Sequence, residues 1–247
     1  MSAERPGVPA PAERQVPLFD VLPAFEEEGA LDIEPGPVAR TILDERSPAG
    51  ERCRLLGERV RALGRDKRLR RVGVVAAGPG EGTTTVALGL ARALSHDHRR
   101  VLLLELGLDR PALDAALGLE PPAVGLRRYL VGKDDVPVLR RIRPAGFWVL
   151  SAGAGAAPGG PAPASPRLAA LLRAADRVFD FVVADCPPLL EGGGGGALQD
   201  HLDGFVFVVR SRRARRETIQ QAAALLRPEL IVGLVLNAER DFLPRRR

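Results

Sequence analysis

A glycine-rich turn between an apolar run and an amphipathic segment constrains this chain more than any other feature. Residues 72–94 read VGVVAAGPGEGTTTVALGLARAL, which predicts a buried strand, a tight turn and a helix in immediate succession. Gly78, Gly80 and Gly82 allow backbone conformations that direct several N–H groups into one concavity. The N-terminus of the following helix adds partial positive charge, so the turn is suited to bind phosphate. Thr84 falls where the hydroxyl of such a loop coordinates magnesium.

Short apolar runs alternate with helical segments along the rest of the chain. This alternation indicates a mostly parallel sheet with helices on both faces, which is an α/β fold of the P-loop NTPase type. The predicted strands are 72–77, 101–104, 147–150, 181–184, 205–209 and 231–236. The predicted helices are 47–63, 84–94, 111–117, 166–177 and 217–226.

Composition divides the chain into three parts. Residues 1–45 are rich in Pro, Ala and Glu without a sustained period, so we expect a flexible leader. Residues 46–240 are expected to form one P-loop domain, and residues 241–247 a basic tail. The net charge of +5 comes almost wholly from arginine. Because no known nucleic-acid-binding motif accompanies this charge, no specific nucleic-acid partner is expected. The N-terminus carries no apolar stretch of signal-peptide type, and we expect a cytoplasmic protein that reaches the inner membrane through a partner.

Thr83 occupies the position where a P-loop normally has lysine. That lysine reaches the β- and γ-phosphates as a point charge, whereas threonine is short and uncharged. Few replacements exist, because Lys67 and Lys133 are the only lysines in the chain. Arg110 and Arg210 are the arginines that we consider as substitutes.

Two acidic residues end predicted strands. Asp185 follows the apolar run 181–184 and is expected to anchor magnesium beside the phosphate-binding turn. Glu105 follows the run 101–104 and is a candidate catalytic carboxylate that orients or deprotonates the attacking group. A plain acidic residue at a strand end explains Glu105 equally well, so both interpretations stay open for it.

A co-linear series of motifs between residues 47 and 237 resembles one family. The segments, in chain order, are SPAGERCRLLGERV, AAGPGEGTTT, VLLLELGLDRPALDAALGL, AVGLRRYLVG, FDFVVADCPPLL, LDGFVFVVRS and IVGLVLN. They resemble the N-terminal helix, the Walker A loop, the second Walker A segment, the Walker B strand and the later strands of bacterial tyrosine kinases. The chain is similar to the cytoplasmic kinase domain of the capsular and exopolysaccharide type, within the septum-positioning and chromosome-partitioning ATPase superfamily.

The resemblance implies an ATP and magnesium site. Carried over by position, Gly80, Gly82, Thr84 and Thr85 would hold phosphate and magnesium, Asp185 would anchor the metal, and Asn237 would lie near the adenine. Asp185 is also a candidate catalytic carboxylate, together with Glu105, which its own position at a strand end suggests. The implied cofactor-binding residues are Gly78, Gly80, Glu81, Gly82, Thr83, Thr84, Thr85 and Asn237. The resemblance also implies a membrane polysaccharide co-polymerase as partner, and a homo-oligomer formed through the helix that carries Glu51 and Arg54.

Departures from the family pattern cluster where catalysis takes place. Besides Thr83, Glu105 and Gly107 replace the two aspartates of the second Walker A segment, and Gly57 replaces the last arginine of the helix motif. The family's C-terminal tyrosine cluster is missing, because Tyr129 is the only tyrosine in the chain. Tail autophosphorylation on tyrosine is therefore excluded by composition.

We therefore expect an ATP-binding protein of the tyrosine-kinase family that regulates capsular or exopolysaccharide biosynthesis and export and is catalytically impaired. Two alternatives stay open. One is a functioning kinase in which an arginine replaces the lysine. The other is a positioning ATPase, of the septum-positioning and chromosome-partitioning type, that binds membrane or nucleoid through the arginine-rich segments 212–216 and 245–247. A cationic side chain directed into the cradle 78–84 favours the kinase, and its absence there favours a regulatory protein.

Overall fold

One eight-stranded sheet organises the molecule. The computed structural model describes residues 31–67, 69–96, 99–133, 137–143, 145–155, 165–191 and 194–238. The strands are β1 (Leu31–Asp32), β2 (Arg71–Ala76), β3 (Val101–Glu105), β4 (Arg140–Arg143), β5 (Trp148–Leu150), β6 (Phe181–Asp185), β7 (Gly204–Arg210) and β8 (Ile231–Asn237). Their order across the sheet is β1-β4-β5-β3-β6-β2-β7-β8. All neighbouring pairs are parallel except β4 with β5, which confirms the predicted, mostly parallel sheet.

Helices cover both faces of this sheet, as expected when strands are apolar on both sides. They are α1 (Pro37–Leu43), α2 (Pro48–Lys67), α3 (Thr83–Leu94), α4 (Leu113–Leu117), α5 (Leu126–Leu130), α6 (Pro166–Ala175), α7 (Gly194–Ala197) and α8 (Arg216–Ala223). Buried residues of α3 join the core on one face, and those of α6 and α8 join the core on the other. No helix in the described part of the chain is both long enough and apolar enough to cross a bilayer.

The register of the sheet brings the two predicted acidic residues next to each other, beside the glycine-rich turn. Val74 of β2 pairs with Asp185 of β6, and Asp185 pairs in turn with Glu105 of β3. The carboxyl ends of three parallel strands therefore meet beside the turn that follows β2. This is the edge where ligands bind in open α/β sheets.

Strand β4 was not predicted from the sequence. Its residues read RRIR, and Ile142 alone among them is buried, so the segment carries no apolar run. The strand exists because the backbone N–H of Ile142 donates to the carbonyl of Phe147, which joins it to the buried strand β5. Tertiary pairing, rather than local pattern, decides this strand.

Residues 31–45, which were expected to belong to a flexible leader, contain a strand and a helix in the structure. Leu31–Asp32 pairs with β4, and Pro37–Leu43 is a helix with Ala39 buried. Glu45 forms an ion pair with Arg92 of α3 at 2.7 Å. The prediction of a leader was wrong here because a two-residue strand and a seven-residue helix are too short to show a period. Residues 1–30 and the predicted tail 241–247 lie outside the described residues.

Two glycines let α2 and α3 approach closely. A Cβ at Gly57 would lie 2.8 Å from the Cβ of Ala93, and a Cβ at Gly89 would overlap the sulfur of Cys53. Gly57 is buried in this contact. An arginine at this position, which the family motif has, would not fit, so the departure at Gly57 has a packing reason.

We predict that Gly57→Ala destabilises the protein by about 1–3 kcal/mol, because the added methyl overpacks the contact with Ala93. Helix propensity alone predicts the opposite sign, since alanine is favoured over glycine inside a helix by up to about 1 kcal/mol. Urea unfolding followed by circular dichroism measures the difference. Adding Ala93→Gly should recover part of the loss, and a stabilised Gly57→Ala protein would contradict the packing argument.

Candidate nucleotide-binding site

The turn between β2 and α3 has the backbone geometry of a phosphate cradle. Gly80 and Gly82 have φ values of +73° and +98°, in the left-handed region that glycine adopts without strain. Gly82 caps the N-terminus of α3, a twelve-residue helix whose first amides have no partners within the helix. A Cβ at Gly82 would also overlap the amide nitrogen of Asn237. Glycine is therefore required at Gly82 both by conformation and by the close approach of Asn237.

Side chains brace this turn from outside the cavity. One carboxylate oxygen of Glu81 accepts from the backbone N–H of Gly78 at 2.9 Å, and the other accepts from the N–H of Arg210 at 3.3 Å. The guanidinium of Arg210 donates to the carbonyl of Gly80 at 2.9 Å. The amide of Asn237 donates to the carbonyl of Glu81, also at 2.9 Å. The ends of β7 and β8 thus hold the turn in its open shape.

Asp185 lies directly beside the turn, as the sequence predicted. The hydroxyl of Thr84 donates to Asp185 Oδ2 at 2.6 Å, while the buried Oδ1 has no hydrogen-bond partner among the described residues. The pKa of Asp185 is raised to about 7, chiefly by burial; the hydroxyls of Thr84 and Thr83 oppose this increase, and the nearby carboxylate of Glu105 contributes to it. A buried carboxylate oxygen without a partner is costly unless a cation or donor completes it.

These groups fit a magnesium ion. The ion prefers oxygen ligands and is usually held by one or two protein oxygens together with phosphate oxygens and water. Thr84 Oγ1 and Asp185 Oδ1 are oxygens of that kind at the mouth of the cradle. Within the described residues, no group of three or more His, Cys, Asp or Glu side chains could hold a metal by itself. The arrangement therefore suits a metal that arrives with a phosphate ligand.

Glu105 is already occupied by backbone donors. One of its oxygens accepts from the N–H groups of Ala112 and Leu113 at 2.6 and 2.8 Å, and the other accepts from Ala152 at 2.9 Å. Burial raises the pKa of Glu105, and these three hydrogen bonds oppose the increase. The carboxylate ties the segment after β3 to the segment after β5. Its catalytic assignment stays a prediction, and the geometry favours an anchoring role.

A cavity of about 450 Å³ joins the cradle to the acidic strand ends. Its lining includes the predicted residues Gly78, Gly80, Gly82, Thr83, Thr84, Glu105 and Asp185. Glu81, Thr85 and Asn237, which were also predicted to bind the cofactor, are not part of the described lining. Their predicted binding roles stay predictions. The side chains of Glu81 and Asn237 form hydrogen bonds with the backbone of the turn.

The sequence did not single out every residue of this cavity. Glu191 lines it and forms an ion pair with Arg110 at 3.0 Å. Its position shortly after Asp185 and two prolines was the one signal that could have found it. Gly107 also lines the cavity, and a Cβ built on it would meet nothing within 4 Å. The cavity therefore has room for a side chain at this position.

The only tyrosine of the chain is buried and therefore shielded from other molecules. Tyr129 is 5% exposed, its hydroxyl donates to the carbonyl of Arg167 at 3.4 Å, and the guanidinium of Arg167 stacks on its ring. A kinase could reach this hydroxyl only after local unfolding.

Comparison with known proteins gives relatives of the expected kind. No protein-family profile matches the chain. The tyrosine-protein kinase YwqD of Bacillus subtilis is 26% identical over 206 residues, which are 81% of this chain and 85% of that protein. The tyrosine-protein kinase CpsD of Streptococcus agalactiae is 22% identical over 64% of this chain and 70% of that protein. The succinoglycan biosynthesis transport protein ExoP of Rhizobium meliloti is 26% identical over 67% of this chain but only 22% of its own length.

Solved structures share the fold. The kinase domain of the Escherichia coli tyrosine kinase ETK superposes with a TM-score of 0.73 at 21% identity, covering 94% of both chains. The BceF tyrosine kinase domain gives 0.68 at 24% identity, covering 91% of this chain and 88% of that one. The septum site-determining protein MinD of Pyrococcus horikoshii, complexed with Mg-ADP, gives 0.55 at 20% identity over 68% of this chain and 69% of that one. The resemblance to bacterial tyrosine kinases and the P-loop α/β fold are thereby confirmed.

We predict that Asp185 makes the stability of the ligand-free protein fall as pH rises from about 4 to about 7. In this window the carboxyl is ionised in the unfolded chain, with an ordinary pKa of 3.8, but holds its proton in the folded protein, with a pKa of about 7. Asp185→Asn cannot ionise, so its stability relative to the parent should grow by roughly 2–4 kcal/mol across the window.

Urea unfolding at a series of pH values in the presence of EDTA measures this difference. Asp32→Asn, at an exposed carboxylate, is the control and should show no comparable growth. A stability difference between Asp185→Asn and the parent that is constant with pH would contradict the prediction.

Proposed function

We propose that this relative of the bacterial tyrosine-protein kinases binds ATP with magnesium in the P-loop cavity and regulates capsular or exopolysaccharide biosynthesis and export. One observation carries the proposal. The unpartnered, buried Oδ1 of Asp185 and the hydroxyl of Thr84 stand beside an open cradle of backbone amides. The unpartnered carboxylate oxygen calls for a cation and the backbone amides call for an anion, and a metal–phosphate complex would supply both.

The chain's own residues would divide the binding between them. The amides around Gly80 and Gly82 would bind phosphate oxygens, since the left-handed conformations there point N–H groups into the cradle. Thr84 and Asp185 would hold the magnesium ion, which neutralises phosphate charge when bound. The septum site-determining protein of similar fold is complexed with Mg-ADP, which supports a nucleotide and magnesium as the ligands here.

Phosphoryl transfer by this site is proposed to be slow. Thr83 lines the cavity where the lysine of the family would neutralise phosphate charge, and its hydroxyl is too short to replace an ammonium group. Loss of one such charge in a site that excludes water costs about 3–4 kcal/mol of transition-state stabilisation. Gly107 is expected to slow transfer further, because the carboxylate that the family pattern has at this position is missing and the space beside Gly107 is empty among the described residues.

The burial of Tyr129 limits which tyrosines this protein could phosphorylate. Because the only tyrosine is buried, phosphorylation on tyrosine would have to take place on another molecule. We propose a membrane polysaccharide co-polymerase as the partner. The relative named as a succinoglycan biosynthesis transport protein supports a role in polysaccharide export.

A homo-oligomer through α2 is part of the same proposal. Glu51 and Arg54 lie on the exposed face of this helix, where Arg54 pairs with Glu58 one turn later. Exposed ion pairs of this kind contribute little to the stability of a monomer, so these side chains are available to a neighbouring subunit.

A positioning ATPase remains the second candidate. The fold likeness to the septum site-determining protein favours it, although the TM-score of 0.55 is below the values for the kinase domains. Retention on DNA or on anionic vesicles that weakens with rising salt would support this candidate over the first.

We predict saturable binding of ATP that depends on magnesium, measured by isothermal titration calorimetry with and without EDTA. Thr84→Val and Asp185→Asn should each reduce the gain in ATP affinity that magnesium gives by about tenfold or more, because the first removes the hydroxyl oxygen and the second removes the negative charge of the carboxylate. Thr41→Val is the matched control, since the hydroxyl of Thr41 donates to the carbonyl of Pro37 in its own helix and Thr41 is not part of the described cavity lining. Absence of saturable binding, with or without a membrane partner, would refute the proposed function.

We also predict that restoring the family residues raises activity. Thr83→Lys, alone and with Gly107→Asp, should increase ATP hydrolysis by about a hundredfold, since the lysine stabilises negative charge that develops during transfer and the aspartate restores a carboxylate that can act as a base or metal ligand. The parent protein is expected to hydrolyse ATP far below the roughly 1–100 s⁻¹ typical of kinases. A parent rate within that range would contradict the proposed impairment. A rate that rises in the variants would show that the rest of the site is intact.

A further inference from the structure

Arg110 is the single lysine or arginine among the described residues that line the P-loop cavity. We propose that Arg110 contacts the terminal phosphate of a bound nucleoside triphosphate and so replaces, from the opposite wall of the cavity, the charge that Thr83 lacks. The proposal rests on the proposed function, because it assumes nucleotide binding in this cavity. Arg110, a side chain outside the P-loop, would then make the protein prefer a nucleoside triphosphate over a diphosphate.

The backbone around Arg110 is held at fixed points. On its N-terminal side, the N–H groups of Leu106 and Gly107 donate to the carbonyl of Asp185 at 2.8 and 3.2 Å. On its C-terminal side, the N–H groups of Ala112 and Leu113 donate to the carboxylate of Glu105. Arg110 thus projects from a loop that is tied at both ends to the metal-binding edge of the sheet.

The side chain itself is loosely held. Arg110 pairs with Glu191 at 3.0 Å, and the two side chains are 69% and 44% exposed. Exposed ion pairs contribute little to stability, so a phosphate group with higher charge can displace the Glu191 carboxylate easily. Arginine also suits the role chemically, because its guanidinium donates two parallel hydrogen bonds to phosphate oxygens.

Arg210, the other arginine considered as a substitute, is used differently. Its guanidinium donates to the carbonyl of Gly80, and its backbone N–H donates to Glu81. Both contacts bind Arg210 to the turn itself, and Arg210 is not part of the described cavity lining. The geometry therefore separates Arg210, which shapes the cradle, from Arg110, which faces it.

The test compares ATP with ADP, each with magnesium, by calorimetry on the full chain. Arg110→Ala should weaken ATP binding by about tenfold, the loss expected for one charge-assisted contact, and ADP binding by less than about twofold. Glu191→Gln should strengthen ATP binding by about two- to threefold, because the competing carboxylate is gone. Arg173→Ala, at an exposed arginine of α6, is the control for the lost net charge and should affect neither nucleotide.

A double-mutant cycle with Thr83→Lys adds a readout that a purely structural role would not change. If Arg110 replaces the lysine, Arg110→Ala should weaken ATP binding by less than about threefold once Thr83→Lys has restored that charge. Equal losses for ATP and ADP, or an undiminished loss in the Thr83→Lys background, would overturn the assignment of Arg110 while leaving nucleotide binding intact. Binding of neither nucleotide by the parent chain would overturn this inference together with the proposed function.

Discussion

The hydrogen bond from Thr84 to Asp185 joins the two halves of the site, and most of the local structure is arranged around it. It links the first turn of α3 to the end of β6 across the strand pair β2–β6, so it fixes the cradle relative to the sheet. Asp185 is fully buried there, and a buried carboxylate is tolerated only with partners. Its carbonyl also accepts from two N–H groups of the loop after β3, so one residue organises both the end of β6 and the loop that carries Arg110.

Glu105, predicted as a catalytic carboxylate, has an anchoring role in the structure. In the family pattern this position is an aspartate, whereas the longer glutamate of this chain accepts three backbone hydrogen bonds from two different segments. Such bonds to a carboxylate are stronger than neutral ones, which favours a fixed conformation over proton transfer. The site therefore combines an open turn of backbone amides and a partly unpartnered Asp185 with a Glu105 that is committed to backbone hydrogen bonds.

The long, strongly patterned elements were predictable, as were the short strand β5 and the short helix α4, but the other short elements were not. Helices α2 and α3 and strands β2, β3, β6, β7 and β8 lie within a few residues of their predicted bounds, because each carries a continuous apolar run or a helical repeat. Strands β1 and β4 and helices α1, α5 and α7 were missed, since two to seven residues are too few to show a period. Charged strand β4 depends on its pairing with β5, a contact that no local pattern encodes.

The amino-acid sequence by itself determined the parallel α/β sheet, the phosphate cradle and the position of Asp185 beside it. These follow from local apolar pattern, from glycine at Gly80 and Gly82, and from the rule that parallel strands bring their carboxyl ends to one edge. Only the tertiary structure decided that Glu105 is bonded to three amides, that Asn237 braces the turn, and that Arg110 rather than Arg210 faces the cavity. Each of these depends on contacts between segments far apart in the chain, where side-chain direction is set by packing and not by neighbours in sequence.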